Sequence, residues 1–363
     1  MSIYIHIPFC DNICSYCDFC KVFYNKKYIN KYLDNLEKEI KSRYKNEIVN
    51  TIYIGGGTPS SLDCDELLRL FKIIKIFNVD KDYEFTIECN IDSITEDKLV
   101  IMKEYGVNRI SIGVQSFNDD IIKLLGRNNT REDIFRQIEL VKKYFDNINI
   151  DLIYAAYDDI NILKEDIKYF LELDVPHIST YSLIIEDNTM LKIKGFTNID
   201  EDKDYEMYNY IENTLEDNNY IHYEISNYAK EGYKSRHNLV YWNNEEYYGF
   251  GLSSTSYINN YRMNNVKNLS KYLDGIYLKD RDYEEEDIRI ENEIMLGLRK
   301  IEGINLKIFR EKYNKDLEDI YNIDYLLGDG YLIKKNNYLS INNKYMYISN
   351  EIIVRIIDSK KHT

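Results

Sequence analysis

The chain has no run of lysine and arginine dense enough to track a phosphate backbone. Its 62 acidic residues outnumber its 47 basic ones, giving a formal net charge of -15, and that balance argues against nucleic acid as a partner. No N-terminal stretch joins a basic start, an apolar run and a small-residue cleavage site, so nothing supports export. The longest apolar runs, such as Ile150 to Ala156, are too short to cross a bilayer, which leaves at most peripheral membrane contact. Tandem repeats and long disordered linkers are missing too. The expected setting is the cytoplasm, where cysteines stay reduced.

What is present fits a globular chain able to bury a large core: 363 residues, 44% hydrophobic and 30% charged. The 36 tyrosines, with abundant Ile, Asn and Lys, read as the codon bias of an AT-rich genome rather than as a binding signature. The six cysteines are unevenly spread, four of them falling between Cys10 and Cys20. In a reducing compartment such crowding points to metal or redox chemistry more than to disulfides.

Up to about Asn227, strand-like runs alternate with amphipathic helical stretches. The strand candidates are Ser2 to Ile7, Thr51 to Ile54, Tyr83 to Glu88, Arg109 to Val114, Asn149 to Ile153, His177 to Ile184 and Tyr220 to Ile225. Helical periodicity covers Lys27 to Tyr44, Asp65 to Ile76, Glu96 to Tyr105 and Arg131 to Tyr144, and Thr95 and Thr130 stand where N-caps belong. Repeated βα units predict an α/β fold with a parallel sheet or incomplete (β/α) barrel, whose active site gathers at the C-terminal strand ends. A Tyr-, Asn- and Gly-rich stretch of weak periodicity follows. The tail then reads as a helix over Asp287 to Arg299 and a helix end with a two-stranded wing in DGYLIKKNNYLSINNKYMYIS. The expected organisation is a barrel over 1–228, a connecting segment over 229–275 and a small helical, winged-helix-like domain over 276–363.

In YIHIPFCDNICSYCDFC, a strand halted by Pro8 leads to a loop with Cys10, Cys14 and Cys17 in C-x-x-x-C-x-x-C spacing. Three thiolates on one loop can hold three irons of a 4Fe-4S cubane, leaving the fourth iron open to an outside ligand. S-adenosylmethionine can chelate that iron through its amino and carboxylate groups, and an electron from the cluster then cleaves its sulfonium. The competing reading is a structural zinc site. Such sites usually pair two C-x-x-C hooks, and no second hook exists here; Cys64 and Cys89 stand alone as candidate core thiols. Cys20 reads more readily as a neighbour of the cluster than as a ligand.

The pieces YIHIPFC, GGGTPS, IECN, SIGVQSF, LGRNN, IDLIY, YEISNYAK and HNLVYW, in this order and spacing, resemble the oxygen-independent coproporphyrinogen III oxidase family of radical-SAM proteins along nearly the whole chain. The resemblance implies an incomplete (β/α)6 TIM-like radical-SAM barrel. It also implies roles for individual residues. Tyr4 lies beside the cluster, and Gly56, Gly57 and Thr58, in the turn opened by Gly55, receive the amino group of S-adenosylmethionine. Glu88 binds the ribose hydroxyls, Gln115 and Arg127 lie near the ribose and carboxylate, and Asp151 lines the nucleoside.

Two branches of the family compete. One is the true oxidase, which decarboxylates propionates of coproporphyrinogen III; the other is a heme-chaperone branch that binds heme and delivers it. The cluster motif begins almost at residue one, whereas the oxidases carry an N-terminal extension, and SRHNLVYW is typical of the chaperone branch. In this reading His237 offers an imidazole to heme, and Tyr241 and Trp242 offer flat faces to a porphyrin. His6 is expected to pack near the cluster loop, and His177 and His222 to be structural. The implied partners are heme or porphyrin, an apo-heme acceptor protein and an electron donor such as a flavodoxin or ferredoxin. The chain departs from the family at Ala155, Ala156 and Tyr157, where relatives continue Gly-Leu-Pro, and at Thr255, where chaperones carry a histidine.

Overall fold

A computed structural model of the chain describes residues 1–361. Six parallel strands carry the architecture: β1 (Ser2–Ile7), β2 (Ile48–Gly56), β3 (Asn78–Asn90), β4 (Arg109–Gln115), β5 (Ile148–Tyr154) and β6 (His177–Ser182). They neighbour one another in chain order, as successive βα units demand. The crossovers include α1 (Lys26–Arg43), α2 (Cys64–Ile74), α3 (Glu96–Glu104), α4 (Asp119–Leu124), α5 (Arg131–Lys142) and α6 (Ile160–Leu173). The caps are where the sequence puts them. Thr95 accepts from the Lys98 amide, and Thr130 forms a capping box with Asp133.

Both edges of the sheet depart from the sequence reading. The Tyr220–Ile225 strand is no seventh parallel strand. It becomes β7 (Ile221–Glu224), which pairs antiparallel with β8 (Asn227–Ala229), itself antiparallel to β6. On the other side the stretch read as a connecting segment builds sheet. Strand β9 (Tyr247–Phe250) lies parallel to β1 and continues antiparallel through β10 (Thr255–Ile258), β11 (Tyr261–Asn265) and β12 (Leu278–Tyr283), making twelve strands in all. Weak hydrophobic periodicity hid these strands because buried polar side chains share their packing with apolar ones such as Tyr248, Phe250 and Ile258. Glu39 of α1, fully buried, accepts from the Gly251 amide, Asn265 and Tyr272 and pairs with Arg43 at 2.6 Å.

The inner strands are split by face. On β4 all seven residues are buried, with Ile110, Ile112 and Val114 in the main hydrophobic core and Arg109, Gly113 and Gln115 lining the interior cavity. Barrel interiors are usually filled by bulky branched residues. Here the register instead stacks polar layers: Tyr53, Thr86 and Arg109 on one level, Glu88, Ser111, Asn149 and His177 on the next, and Asn90, Gly113, Asp151 and Ser179 above. That polarity is where the site comes from.

A second hydrophobic core, built from Ile290 to Ile356, belongs to the C-terminal part. Its helices surround a three-stranded sheet that includes the hairpin Leu332–Lys335 and Tyr338–Ile341, the wing foreseen in the sequence. This part seals the barrel edge: Glu224 bridges Lys300, and the Ile225 amide donates to the Arg299 carbonyl. No helix among the described residues is long and apolar enough to cross a membrane.

Candidate cluster and S-adenosylmethionine site

Pro8 ends β1, and the chain behind it is held on both sides. The Gly57 and Thr58 amides donate to the Ile7 and Phe9 carbonyls, and the Ser15 amide donates to the Leu125 carbonyl. All six cysteines are free thiols. Cys10 is buried, Cys14 and Cys17 are half-buried, and the three line one cavity at the C-terminal ends of the strands. Burial pushes the Cys10 thiol up to about 11, so the bare thiol keeps its proton at neutral pH; a bound cation is what would draw it off.

The cavity, of about 440 Å³, is in the range of sites for small cofactors. It brings together Cys10, Cys14, Cys17, Gly56, Gly57, Thr58, Glu88, Gln115, Arg127 and Asp151. Tyr4 and His237 do not line it. Tyr53 stands between, stacked on Tyr4 at 6.3 Å and on His237 at 5.2 Å between ring centroids.

The glycine turn also packs protein against protein. A Cβ on Gly55 would lie 2.7 Å from Glu88, one on Gly56 2.5 Å from the His6 ring, and one on Gly57 2.6 Å from Pro8. The close approach is protein to protein, and it locks β2 against the start of the cysteine loop. His6 completes the lock, with Nδ1 at 3.0 Å from the Tyr4 hydroxyl and Nε2 at 2.8 Å from the Cys20 carbonyl oxygen. The Cys20 sulfur itself contacts the Lys267 carbonyl at 3.7 Å.

The polar wall is well supported. Glu88 accepts from the Tyr53 hydroxyl at 2.9 Å and from the Gly56 amide at 3.0 Å. Burial, with Asp151 nearby, raises its carboxyl to about 7 against those hydrogen bonds. Asp151 is raised by burial too, while Asn149 donates to it at 2.8 Å. Gln115 sits at a bulge between β4 and β5 with φ of 72°, a left-handed conformation that a glutamine holds only under strain. A Cβ on Gly113 would lie 2.9 Å from the Gln115 amide nitrogen and 3.1 Å from the Arg127 guanidinium, so this glycine makes room for both side chains.

Arg127 is the informative member. Its guanidinium donates to Asn90, to the Gly113 carbonyl and to the Tyr16 hydroxyl, all neutral oxygens, and its buried Nε has no partner among the described residues. A guanidinium enclosed without a carboxylate is poised for one brought by a ligand. With three free thiols on the same cavity, the residues fit a 4Fe-4S cluster and the carboxylate of S-adenosylmethionine. Sequence reasoning missed Tyr53, Asn90, Arg109, Ser111, Asn149 and Ser179, which also line the cavity. The available signal was a polar residue at alternate positions within strands that otherwise read as apolar.

His237 is a correction. The HNLVYW segment forms helix Arg236–Trp242, capped by Ser235, with Glu84 accepting the Arg236 and His237 amides at 2.9 Å each. The His237 ring points inward, 1% exposed. Its Nδ1 lies 2.8 Å from Thr51 and its Nε2 2.9 Å from the Tyr241 hydroxyl, leaving no nitrogen for an iron. Burial, with Arg109 near, lowers its pKa to about 3. Tyr241 likewise packs its ring against His237 and Tyr247, not against an open face.

Three thiols at the strand ends of a partial barrel, facing an unpaired guanidinium, define a radical-SAM protein, whose cofactors are a 4Fe-4S cluster and S-adenosylmethionine. Accordingly, residues 4–168 match the Radical SAM superfamily and residues 285–344 the HemN C-terminal domain. The chain is 37% identical over 368 residues to the heme chaperone HemW of Lactococcus lactis, covering 98% of this chain and 97% of that one. It is 39% identical to HemW of Bacillus subtilis, covering 88% and 89%, and 32% identical to that of Escherichia coli, covering 94% of each. Coproporphyrinogen III oxidase (HemN) from Escherichia coli has the same fold, with a TM-score of 0.84 at 23% identity over 98% of this chain and 89% of that one. The chain belongs to the HemW family of radical-SAM proteins.

Proposed function

We propose that this chain binds heme and hands it to an apo-heme acceptor protein, in the cytoplasm, with the cluster and S-adenosylmethionine governing the transfer. The observation that carries this is end-to-end similarity to relatives named heme chaperones, at 37% identity across 98% of the chain. Cys10, Cys14 and Cys17 would hold the cluster, which supplies the electron that cleaves the sulfonium when S-adenosylmethionine is bound. Arg127, with Gln115 beside it, would grip the carboxylate of S-adenosylmethionine; Glu88 would accept from its ribose hydroxyls; Asp151 would line the nucleoside, and Thr58 the amino group. A flavodoxin or ferredoxin would be the electron donor.

The test is a heme titration of the anaerobically reconstituted protein, followed by transfer to an apo-hemoprotein. Saturable binding, together with transfer that responds to S-adenosylmethionine, is the expected result. Failure to bind heme, combined with turnover of coproporphyrinogen, would replace the reading with an oxidase.

A further inference from the structure

Away from the cysteine cavity, metal-ligating side chains gather at the edge of the sheet. Helix Glu201–Asp217 carries Tyr208, Glu212 and Glu216 at four-residue intervals, so the three form one stripe along it. The chain turns through residues 218–220 and returns as β7, the last strand of the sheet, which sets His222 against that stripe. One ligand atom from each of Glu212, Glu216 and His222 lies within 4.8 Å of the other two. His222 Nδ1 and Glu212 Oε1 are 3.2 Å apart. Two ligands of one tetrahedral ion stand at roughly 3.3 Å when each bond is about 2.0–2.1 Å long. Among the described residues no lysine or arginine pairs with Glu212 or Glu216. Two carboxylates one turn apart repel each other, and a single imidazole can offset at most one of them. A divalent cation offsets both.

A second observation points the same way. Tyr208 is 7% exposed, yet its hydroxyl has no hydrogen-bond partner among the described residues. Burial raises its phenol most, and the charges that add most to that are Glu212 and Glu216, so the hydroxyl faces the cluster. The His222 side chain is 1% exposed, and its Nε2 is likewise without a partner. Its ring stacks on Tyr228 at 4.3 Å and meets the Tyr208 ring edge-on at 6.4 Å between centroids. Buried polar groups left unpaired are rare and ask for a reason. Metal-bound imidazoles normally donate their second N–H to an oxygen or a water. With an ion on Nδ1, Nε2 keeps its hydrogen for a water shared with the Tyr208 hydroxyl, and both orphans are satisfied.

We propose that Glu212, Glu216 and His222 form a site for a first-row divalent metal ion such as Zn²⁺ or Mn²⁺, with water in the remaining position. One imidazole with two carboxylates suits such ions, whereas Mg²⁺ and Ca²⁺ take oxygen ligands alone. None of the three residues lines the cysteine cavity, so the site is independent of the cluster and of heme transfer. The ion clips the helix to the edge strand, next to the place where Glu224 bridges Lys300 of the C-terminal part.

The experiment adds Mn²⁺ to the full-length reconstituted protein, without S-adenosylmethionine, and reads the free ion by electron paramagnetic resonance. Manganese favours oxygen ligands over thiolates, so spare cysteines do not compete. The wild type should hold one Mn²⁺ that Glu212→Gln and Glu216→Gln each weaken by about tenfold or more. His222→Phe, which keeps a flat ring on Tyr228, should do the same. Any ion taken by Glu88 or Asp151 is common to all four proteins and cancels in the comparison. Zn²⁺ should displace the bound Mn²⁺, whereas about a hundredfold excess of Mg²⁺ should not. No uptake of this ion by the wild type, or uptake untouched by all three substitutions, would overturn the site. So would displacement by Mg²⁺, which marks two carboxylates attracting any dication without the imidazole. Should His222→Phe fail to fold, Glu216→Gln and the Mg²⁺ competition decide, because Glu216 is exposed and its replacement leaves the buried contacts intact.

Discussion

Thr51 Oγ1 and His237 Nδ1 lie 2.8 Å apart inside the barrel, and that contact decides what the HNLVYW segment does. With its other nitrogen on Tyr241 and its face on Tyr53, His237 fastens helix Arg236–Trp242 to the barrel. His237→Ala should therefore lower stability by about 2–4 kcal/mol through a cavity and two orphaned partners. Its heme affinity, measured where the variant is still folded, should match the wild type within about threefold. Paired denaturant melts and heme titrations check this; a folded variant that has lost heme would return the ligand role to His237.

Glu88 makes stability depend on pH. Its carboxyl is held near 7 in the fold, above the usual value of 4.5, chiefly by burial. The folded state thus binds a proton that the unfolded chain releases, so stability falls as pH rises from about 4.5 to about 7. The shift of 7 minus 4.5 corresponds to on the order of 3 kcal/mol, an upper figure for a cavity wall. Glu88→Gln should flatten that part of the pH profile and be the more stable protein at pH 8. It should also bind S-adenosylmethionine at least tenfold more weakly, as calorimetry would read, because a ribose hydroxyl loses a charged acceptor.

Cys10, Cys14 and Cys17 line the cavity, whereas the Cys20 sulfur contacts the Lys267 carbonyl. Replacing any of the first three by Ala should abolish the visible absorption of the reconstituted cluster. Cys20→Ala should retain iron and sulfide near wild-type stoichiometry. Loss of the cluster in Cys20→Ala, with the near-UV circular dichroism unchanged, would make Cys20 a ligand.

Arg127→Lys tests the carboxylate grip. A lysine keeps the charge but presents a point donor where a guanidinium presents a fork. Cluster content should be unchanged, since Arg127 touches Asn90, Gly113 and Tyr16 and not the thiols. S-adenosylmethionine affinity should fall by at least tenfold, corresponding to about 1.4 kcal/mol. Equal affinities would remove Arg127 from the site.

Much of this was legible in the sequence, for reasons that can be named. The parallel strands show as apolar runs because both faces are enclosed, and Thr95 and Thr130 mark helix starts because a hydroxyl there satisfies an amide. The cysteine loop stands out by spacing alone. Arg109, Ser111 and Asn149 were hidden inside those same apolar runs, since nothing local shows which way an alternate polar residue points. His237 was misread because its partners Thr51 and Tyr53 come from a strand nearly two hundred residues earlier. Ala155 adopts φ of 62°, a left-handed conformation that an alanine in a sequence gives no reason to expect.

The edge strands after Tyr247 were illegible for a related reason, and it leads to the last prediction. Alongside Tyr248, Phe250 and Ile258 in the main core, what holds them is Glu39, a carboxylate on α1 with no surface exposure. It is surrounded by donors from Gly251, Asn265 and Tyr272 and by Arg43, which also reaches Asn265 and Ser256. Burial raises the Glu39 carboxyl even with Arg43 against it. Arg43→Met removes the only cation paired with Glu39 among the described residues and leaves a buried charge, a change worth about 3–5 kcal/mol. The carboxyl then rises further, so the variant can recover stability by taking up a proton. Its deficit relative to wild type should be largest at pH 8 and shrink toward pH 5, where the folded state binds the proton and the unfolded chain does not. Denaturant melts at the two pH values check the sign. A deficit that stays constant with pH would mean that Glu39 is already neutral and that Arg43 acts through Asn265 and Ser256 alone.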